Sequence, residues 1–198
     1  MRVGSLRRAL AGRPFSTLDL SLVSPAYRSS EGALREAAAL VPVFEKGGEG
    51  HVLVMRRRPD LRRHPGQISF PGGTMETADA DALSAALREA HEEVGIAPAD
   101  VEVLGRLGEA LVVTTGFRLT PWVGAVPYPY PWSVQPDEVA GLVEIPIAEL
   151  DRPGAHHTEI REAHGMQHEV HFFTVGENTV WGATARVLAE LVSVWRDA

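Results

Sequence analysis

The sequence predicts an α/β fold, a mixed β-sheet with helices packed on it in one domain. Three observations predict it. Short apolar runs of strand type recur between turn signals from residue 39 to residue 175. A strongly patterned helix interrupts them at 79–94, and an amphipathic helix closes the chain at 181–195. A length of 198 residues suits one domain with extensions.

Residues 1–37 read as an N-terminal accessory segment, ahead of a main domain at 38–198. Within it "SLRRAL" suits a short helix, as does "EGALREAAAL", which runs into the main domain. "ALVPVF" and "HVLVMR" read as strands joined by the hairpin turn "EKGGEG". A basic run follows, then a short strand "QISF" and the turn "PGG". Helix 79–94 has Asp79 or Asp81 as its cap and Gly95 as its stop. "VEVLGRL", "ALVV" and "RLTPWVGAV" read as strands, and "YPYPWSVQPDEV" as a Pro-rich loop long enough to be a substrate loop. "AGLVEI" is a strand, "PIAEL" a helical turn begun by Pro146, and "HEVHFFTV" a further strand.

Net charge is -7 and unevenly placed. Residues 1–70 carry 12 Arg and Lys against 6 Asp and Glu; residues 71–198 carry 7 against 20. Bulk charge argues against a nucleic-acid partner. A basic half before an acidic half suits an anionic substrate held beside a metal site. There is no cysteine, so disulfides, thiolate zinc sites and Cys nucleophiles are excluded. The N-terminus is basic without an apolar core of signal length, and no window approaches ~18 continuous apolar residues. A soluble, cytoplasmic protein with no membrane partner is expected.

On a helical wheel of 79–94, Leu83, Ala86, Leu87, Ala90 and Val94 share one side. Glu92, Glu89 and Glu93 fall at about 180°, 240° and 280° from Leu83. Three carboxylates in one arc suit a solvated face or a hard-cation site such as Mg²⁺. They sit near the helix C-terminus, where the dipole disfavours anions. A divalent cation would offset that cost. Gly72-Gly73 suits a close backbone approach to a ligand or a positive φ.

The stretch from Gly73 to Ile96 resembles the box of the Nudix hydrolases. Gly73 opens it, and Arg88-Glu89-Ala90-His91-Glu92-Glu93-Val94-Gly95-Ile96 matches its second half. The chain departs from the pattern twice. The gap from Gly73 to Arg88 is one residue longer, and the first glutamate is missing, with Asp79 or Asp81 as its substitute. Upstream, "VLVMRRRPDLRRHPGQISFPGG" resembles the coenzyme A pyrophosphatase group of that superfamily. Arg56, Leu61, Arg62, His64, Gly66, Gln67, Phe70 and Pro71 fall in register. Segments 114–124 and 180–191 are similar to the same group, so the resemblance spans about 38–191.

The resemblance implies a Nudix-type α/β/α sandwich around a mixed β-sheet. It implies Glu89, Glu92 and Glu93 as ligands of Mg²⁺ or Mn²⁺, helped by the Gly72 carbonyl. Glu93, Glu89 and Glu138 are the catalytic candidates, Glu93 as the general base within the box and Glu138 as the base or further ligand from the later loop. Arg62 and His64, then Arg56 and Arg63, are the candidates for binding the phosphates of coenzyme A. Tyr128, Tyr130 and Trp132 are candidates for a pantetheine groove, and Gly116 and Phe117 for the nucleotide. The implied reaction splits the diphosphate of coenzyme A into 3′,5′-adenosine bisphosphate and 4′-phosphopantetheine. Two alternatives stand beside it: another nucleoside diphosphate compound, such as an ADP-sugar or dinucleotide, and a non-catalytic regulatory module. Whether the chain acts alone or as a homodimer is open.

Overall fold

The computed structural model describes residues 3–11, 13–19, 23–27 and 34–198. Its centre is β1 (Arg35–Lys46), buried without a break from residue 37 to residue 44. That continuous burial marks a strand covered on both faces. β1 pairs in parallel with β7 (Phe117–Ala125) along one side. Its other side is shared by β4 (Gly72–Thr74) and β2 (Glu49–Arg57), both antiparallel. Pro42 has no N–H to give a ladder. It falls between these two registers, which end at Ala39 and begin at Val43.

β3 (Ile68–Ser69) and β8 (Val139–Pro146) pair with β2; β5 (Glu102–Arg106) and β6 (Ala110–Val112) pair with β7. The result is a mixed sheet of eight strands. Strand alternation sorts its side chains into two cores. Leu40, Phe44, Leu53 and Met55 pack with Ala85, Ala86, Ala90 and Val94 of α2 (Ala82–Val94). Val41, Val43, Val52 and Val54 pack on the other face with α4 (Ala183–Arg196) and α1 (Val3–Ala11). The fold is therefore an α/β/α sandwich around a mixed sheet. α1 brings Leu6 and Leu10 from the accessory segment into the second core. α3 (Ile147–Leu150) begins after Pro146, as its sequence suggests.

Two expectations need correction. Residues 31–40 do not form a helix where they are described: Arg35 to Leu40 belong to β1, and residues 31–33 lie outside the described residues. The alanines favour a helix locally, but the parallel ladder to β7 and burial on both faces override that preference. The second concerns the single sheet. β9 (His156–Ala163), β10 (Met166–Val175) and β11 (Asn178–Trp181) form a separate three-stranded antiparallel sheet. Only β10 carries an apolar run; β9 is exposed and polar, so no alternating pattern announces it. Among the described residues no helix is long and apolar enough to cross a membrane.

Candidate active site

α2 ends at the site, so its boundaries place the acids. Asp81 caps its start: its carboxylate accepts from Ser84 N–H at 2.8 Å, and Ser84 Oγ accepts from Asp81 N–H at 2.9 Å. Gly95 stops it in the left-handed conformation at φ 75°, which a side chain there resists. The three glutamates of the acidic arc do not share one environment. Glu92 is half exposed, Glu89 mostly covered, and Glu93 only 4% exposed. A plain solvated face is thereby excluded for Glu93.

Glu93 reaches the Gly-Gly turn. Its Oε2 accepts from the Gly72 N–H at 2.8 Å. Burial pushes its carboxyl up to about 8, with Glu89 and Glu138 adding to the effect and Gly72 and Arg57 opposing it. Glu89 is also raised, by burial first, with Arg88 opposing. Glu138 thus lies near enough to act on both acids. It is held there by its own loop: Arg58 N–H donates to the Glu138 carbonyl at 2.9 Å, and Gln135 N–H to the Glu93 carbonyl at 2.9 Å.

Close approach, not positive φ, is why residues 72 and 73 are glycine. A Cβ on Gly73 would stand 2.4 Å from Glu89 Oε1, and one on Gly72 would stand 2.4 Å from the Ala38 carbonyl.

Arg88 lies beside Glu89 and reaches well beyond it. Its guanidinium forks onto Asp79 with two bonds of 3.0 Å, donates to Glu89 at 3.0 Å and to Glu92 at 3.1 Å, and also reaches the Thr74 carbonyl at 3.2 Å. Asp79 therefore holds Arg88 in place. Asp81 is committed to the cap. Among the described residues no three Asp, Glu or His side chains are gathered into a cage for a cation; Arg88 draws Glu89 and Glu92 to itself.

Beside the Gly-Gly turn lies a groove of about 540 Å³. Gly72, Gly73, Arg57, Arg63, His64, Phe117, Arg161 and Trp181 are among its lining residues; Glu89, Glu92, Glu93 and Glu138 are not. His64 Nδ1 lies 2.9 Å from Gln67 Oε1, which orients the ring. The four basic candidates are therefore divided. Arg63 and His64 line the groove. Arg62 is exposed and does not. Arg56 turns to the other face, where it donates to Asn178 Oδ1 at 2.6 Å.

The residue that sequence reasoning passed over is Arg57. Its Nη1 lies 3.5 Å from Glu93 Oε1, and its Nε is buried without a partner. A buried donor left unpaired is costly, so this one stands ready for an anion. The signal was present in the alternation: Leu53 and Met55 face α2, and Arg57 shares their parity while Arg56 does not.

The aromatic loop residues serve packing. Tyr128 stacks on Phe44 at 4.9 Å, Trp132 tilts against the same ring, and Tyr130 Oη donates to Asp100 at 2.8 Å while accepting the Ala97 N–H. None of the three lines the groove. Of the nucleotide candidates, Phe117 lines it and Gly116 does not, being covered by Tyr27.

Comparison with known proteins agrees with this arrangement. The model of the NUDIX domain matches residues 34–164. The chain is 41% identical over 170 residues to an uncharacterized Nudix hydrolase, NudL, of Cronobacter sakazakii, covering 86% of this chain and 88% of that one. It is 42% identical over 157 residues to NudL of Salmonella paratyphi B, covering 79% and 81%. Among solved structures, a MutT/nudix family protein from Enterococcus faecalis shares the fold at 15% identity and a TM-score of 0.51, over 82% of this chain and 61% of that one. With the box acids converging on a glycine turn, and a domain match over most of the chain, this protein belongs to the Nudix family of hydrolases.

Proposed function

We propose that this Nudix pyrophosphohydrolase cleaves the diphosphate of coenzyme A and its derivatives, giving 3′,5′-adenosine bisphosphate and 4′-phosphopantetheine. The observation that carries the reading is one groove lined by Arg57, Arg63 and His64 and floored by the Gly72-Gly73 turn that touches Glu89 and Glu93. The phosphate-binding donors line the groove, and the acids, which do not line it, reach it through the glycine turn. Coenzyme A offers a diphosphate and a separate 3′-phosphate, and a groove lined by several arginines, Arg57, Arg63 and Arg161 among them, suits more than one phosphate group.

The donor set fits Mg²⁺ or Mn²⁺. Glu93 is a carboxyl whose buried charge lacks compensation, and Glu89 beside it is raised for the same reason. A hard divalent cation supplies that compensation through oxygen ligands. Glu89, Glu92, Glu93 and the Gly72 carbonyl would hold it. When bound, such an ion neutralises diphosphate oxygens and acidifies a water. The chain's own part is then positional. Arg57 donates to a phosphate oxygen through the free Nε, and Arg63 and His64 hold the anion's far end. Glu93, ionised once its charge is compensated, orients or deprotonates the attacking water; Glu138 is the second base candidate. Arg88 keeps Glu89 and Glu92 from collapsing into other contacts.

The test is a product assay on the purified protein with coenzyme A, dephospho-coenzyme A, ADP-ribose and NADH, each with Mg²⁺ and with chelator. The expected result is metal-dependent release of 3′,5′-adenosine bisphosphate, with coenzyme A preferred over its dephospho form. Cleavage confined to ADP-ribose or NADH overturns the coenzyme A reading and leaves the acidic site standing. No cleavage of any of the four overturns the assignment of substrate class.

A further inference from the structure

Strand β9 presents an edge that no other described residue pairs with. It hydrogen-bonds to β10 alone and is the outer strand of the three-stranded sheet. Seven of its eight residues are exposed. Ile160 is 65% exposed, more than any other large apolar side chain among the described residues.

Such an edge offers a row of unpaired backbone donors and acceptors. Proteins guard such edges with Pro, Lys, bulges or a covering element. β9 has neither Pro nor Lys, and its ladder to β10 runs from His156 to Ala163 without a register shift. It carries a charge order instead: Glu159, Ile160, Arg161. Opposite charges flank one apolar residue, so the strand is complementary to a reversed copy of itself.

We propose that β9 is the edge through which two copies of this chain pair, antiparallel about a two-fold axis at Ile160. In that register Ile160 packs on the partner's Ile160. Glu159 faces the partner's Arg161, and Arg161 faces the partner's Glu159. His157 lies opposite Ala163, and Thr158 opposite Glu162. No like charges meet, and opposite-charge cross-strand pairs are favourable. An axis at Glu159 or at Arg161 sets that charge against its own copy, and parallel pairing in register does so at both; an axis at Thr158 meets no like charges but pairs only residues 156–160, against 157–163 for the axis at Ile160. Charge and overlap together thus favour one arrangement, an isologous contact closed at two copies.

The fold prepares the pair. Arg161 donates to Glu159 Oε2 from Nε at 3.0 Å and from Nη2 at 2.9 Å, and its guanidinium lies over Phe172 at 4.8 Å. Both charges therefore stand on one face of β9, and across the axis four charges alternate in sign. Pairing through two eight-residue edges alone is a small contact beside the ~1,200 Å² of stable interfaces, so the dimer is concentration-dependent.

Sedimentation of the full chain across a concentration series tests this. The expected result is a monomer–dimer equilibrium that Ile160→Lys, placing two cations on the axis, shifts to monomer. Ile160 points to solvent, so that substitution leaves the fold intact, which circular dichroism checks. Glu159→Arg and Arg161→Glu each set like charges across the axis and are each monomeric. Mixed together, the two variants restore opposite charges at every position and associate. A wild-type monomer at all concentrations overturns the proposal. So does a dimer indifferent to these substitutions, or two charge variants that fail to associate when mixed.

Discussion

The Arg57 guanidinium stands 3.5 Å from the Glu93 carboxylate while its buried Nε donates to nothing. The two residues come from different layers, β2 and α2, and meet where the Gly72 N–H also bonds Glu93. A cation beside a carboxyl ordinarily satisfies both. Here the contact is long and the carboxyl is still raised by burial, so Arg57 keeps donor capacity for a substrate oxygen.

Loss of that donor is expected to fall on catalysis. Arg57→Ala lowers kcat/KM about ten- to hundredfold, matching the ~1.5–3 kcal/mol of a hydrogen bond to a charged group. Arg57→Lys recovers part of it, because an ammonium returns the charge without the fork. Arg56→Ala strikes the Asn178 contact instead, and its main cost is about 1 kcal/mol of stability. Steady-state kinetics and denaturant melts of the three variants separate the two arginines.

Glu93 makes stability depend on pH in metal-free protein. Its folded pKa, about 8, lies above the ordinary 4.5. The unfolded chain therefore releases this proton first as pH rises. Stability is full below the ordinary value, declines between the two, and is level again above the folded one. Glu93→Gln removes this contribution. In chelator, wild type is expected to lose stability relative to Glu93→Gln from about pH 5 to about pH 8. Mg²⁺ should restore it and release a proton on binding. Urea midpoints across that range, and calorimetry in buffers of differing ionisation enthalpy, check both. Parallel pH profiles for the two proteins in chelator would sink the assignment of this carboxyl.

The two turn glycines are expected to fail differently. Gly73→Ala drives a methyl into Glu89 Oε1, a flexible side chain. The fold survives, Glu89 moves, and kcat drops about a hundredfold, the cost of displacing a site group by roughly 1 Å. Gly72→Ala meets the β1 backbone at Ala38 and Ala39, which cannot yield. That variant is expected to lose stability first, seen as a lowered melting temperature. Equal melting temperatures with equal activity losses would contradict this distinction.

Much of the site was legible before any coordinates. The glutamates of α2, the cap at Asp81 and the stop at Gly95 are local facts of a helix, and a wheel suffices to find them. Of the two aspartates offered in place of the missing box acid, Asp81 is taken up by the cap and Asp79 by the fork from Arg88. Reading the basic run as a unit was less successful. Arg56 and Arg57 are neighbours of one type, yet they part to opposite faces of β2. Tyr128, Tyr130 and Trp132 suggested a ligand groove by composition, but the loop turns them against Phe44 and the residues just past α2.

By itself the sequence determined a mixed sheet with helices packed on it, because strand and helix periodicity decide which faces are apolar, and apolar faces must be buried; the sandwich was what the resemblance implied. The sequence also determined the acidic helix end for the same local reason. The tertiary structure alone decided which glutamate is buried, which arginine reaches it, and that β9 is a strand at all. Those depend on partners distant in the chain: β4 delivers Gly72 to Glu93, β2 delivers Arg57, and β10 lends β9 a register that its own exposed residues do not encode.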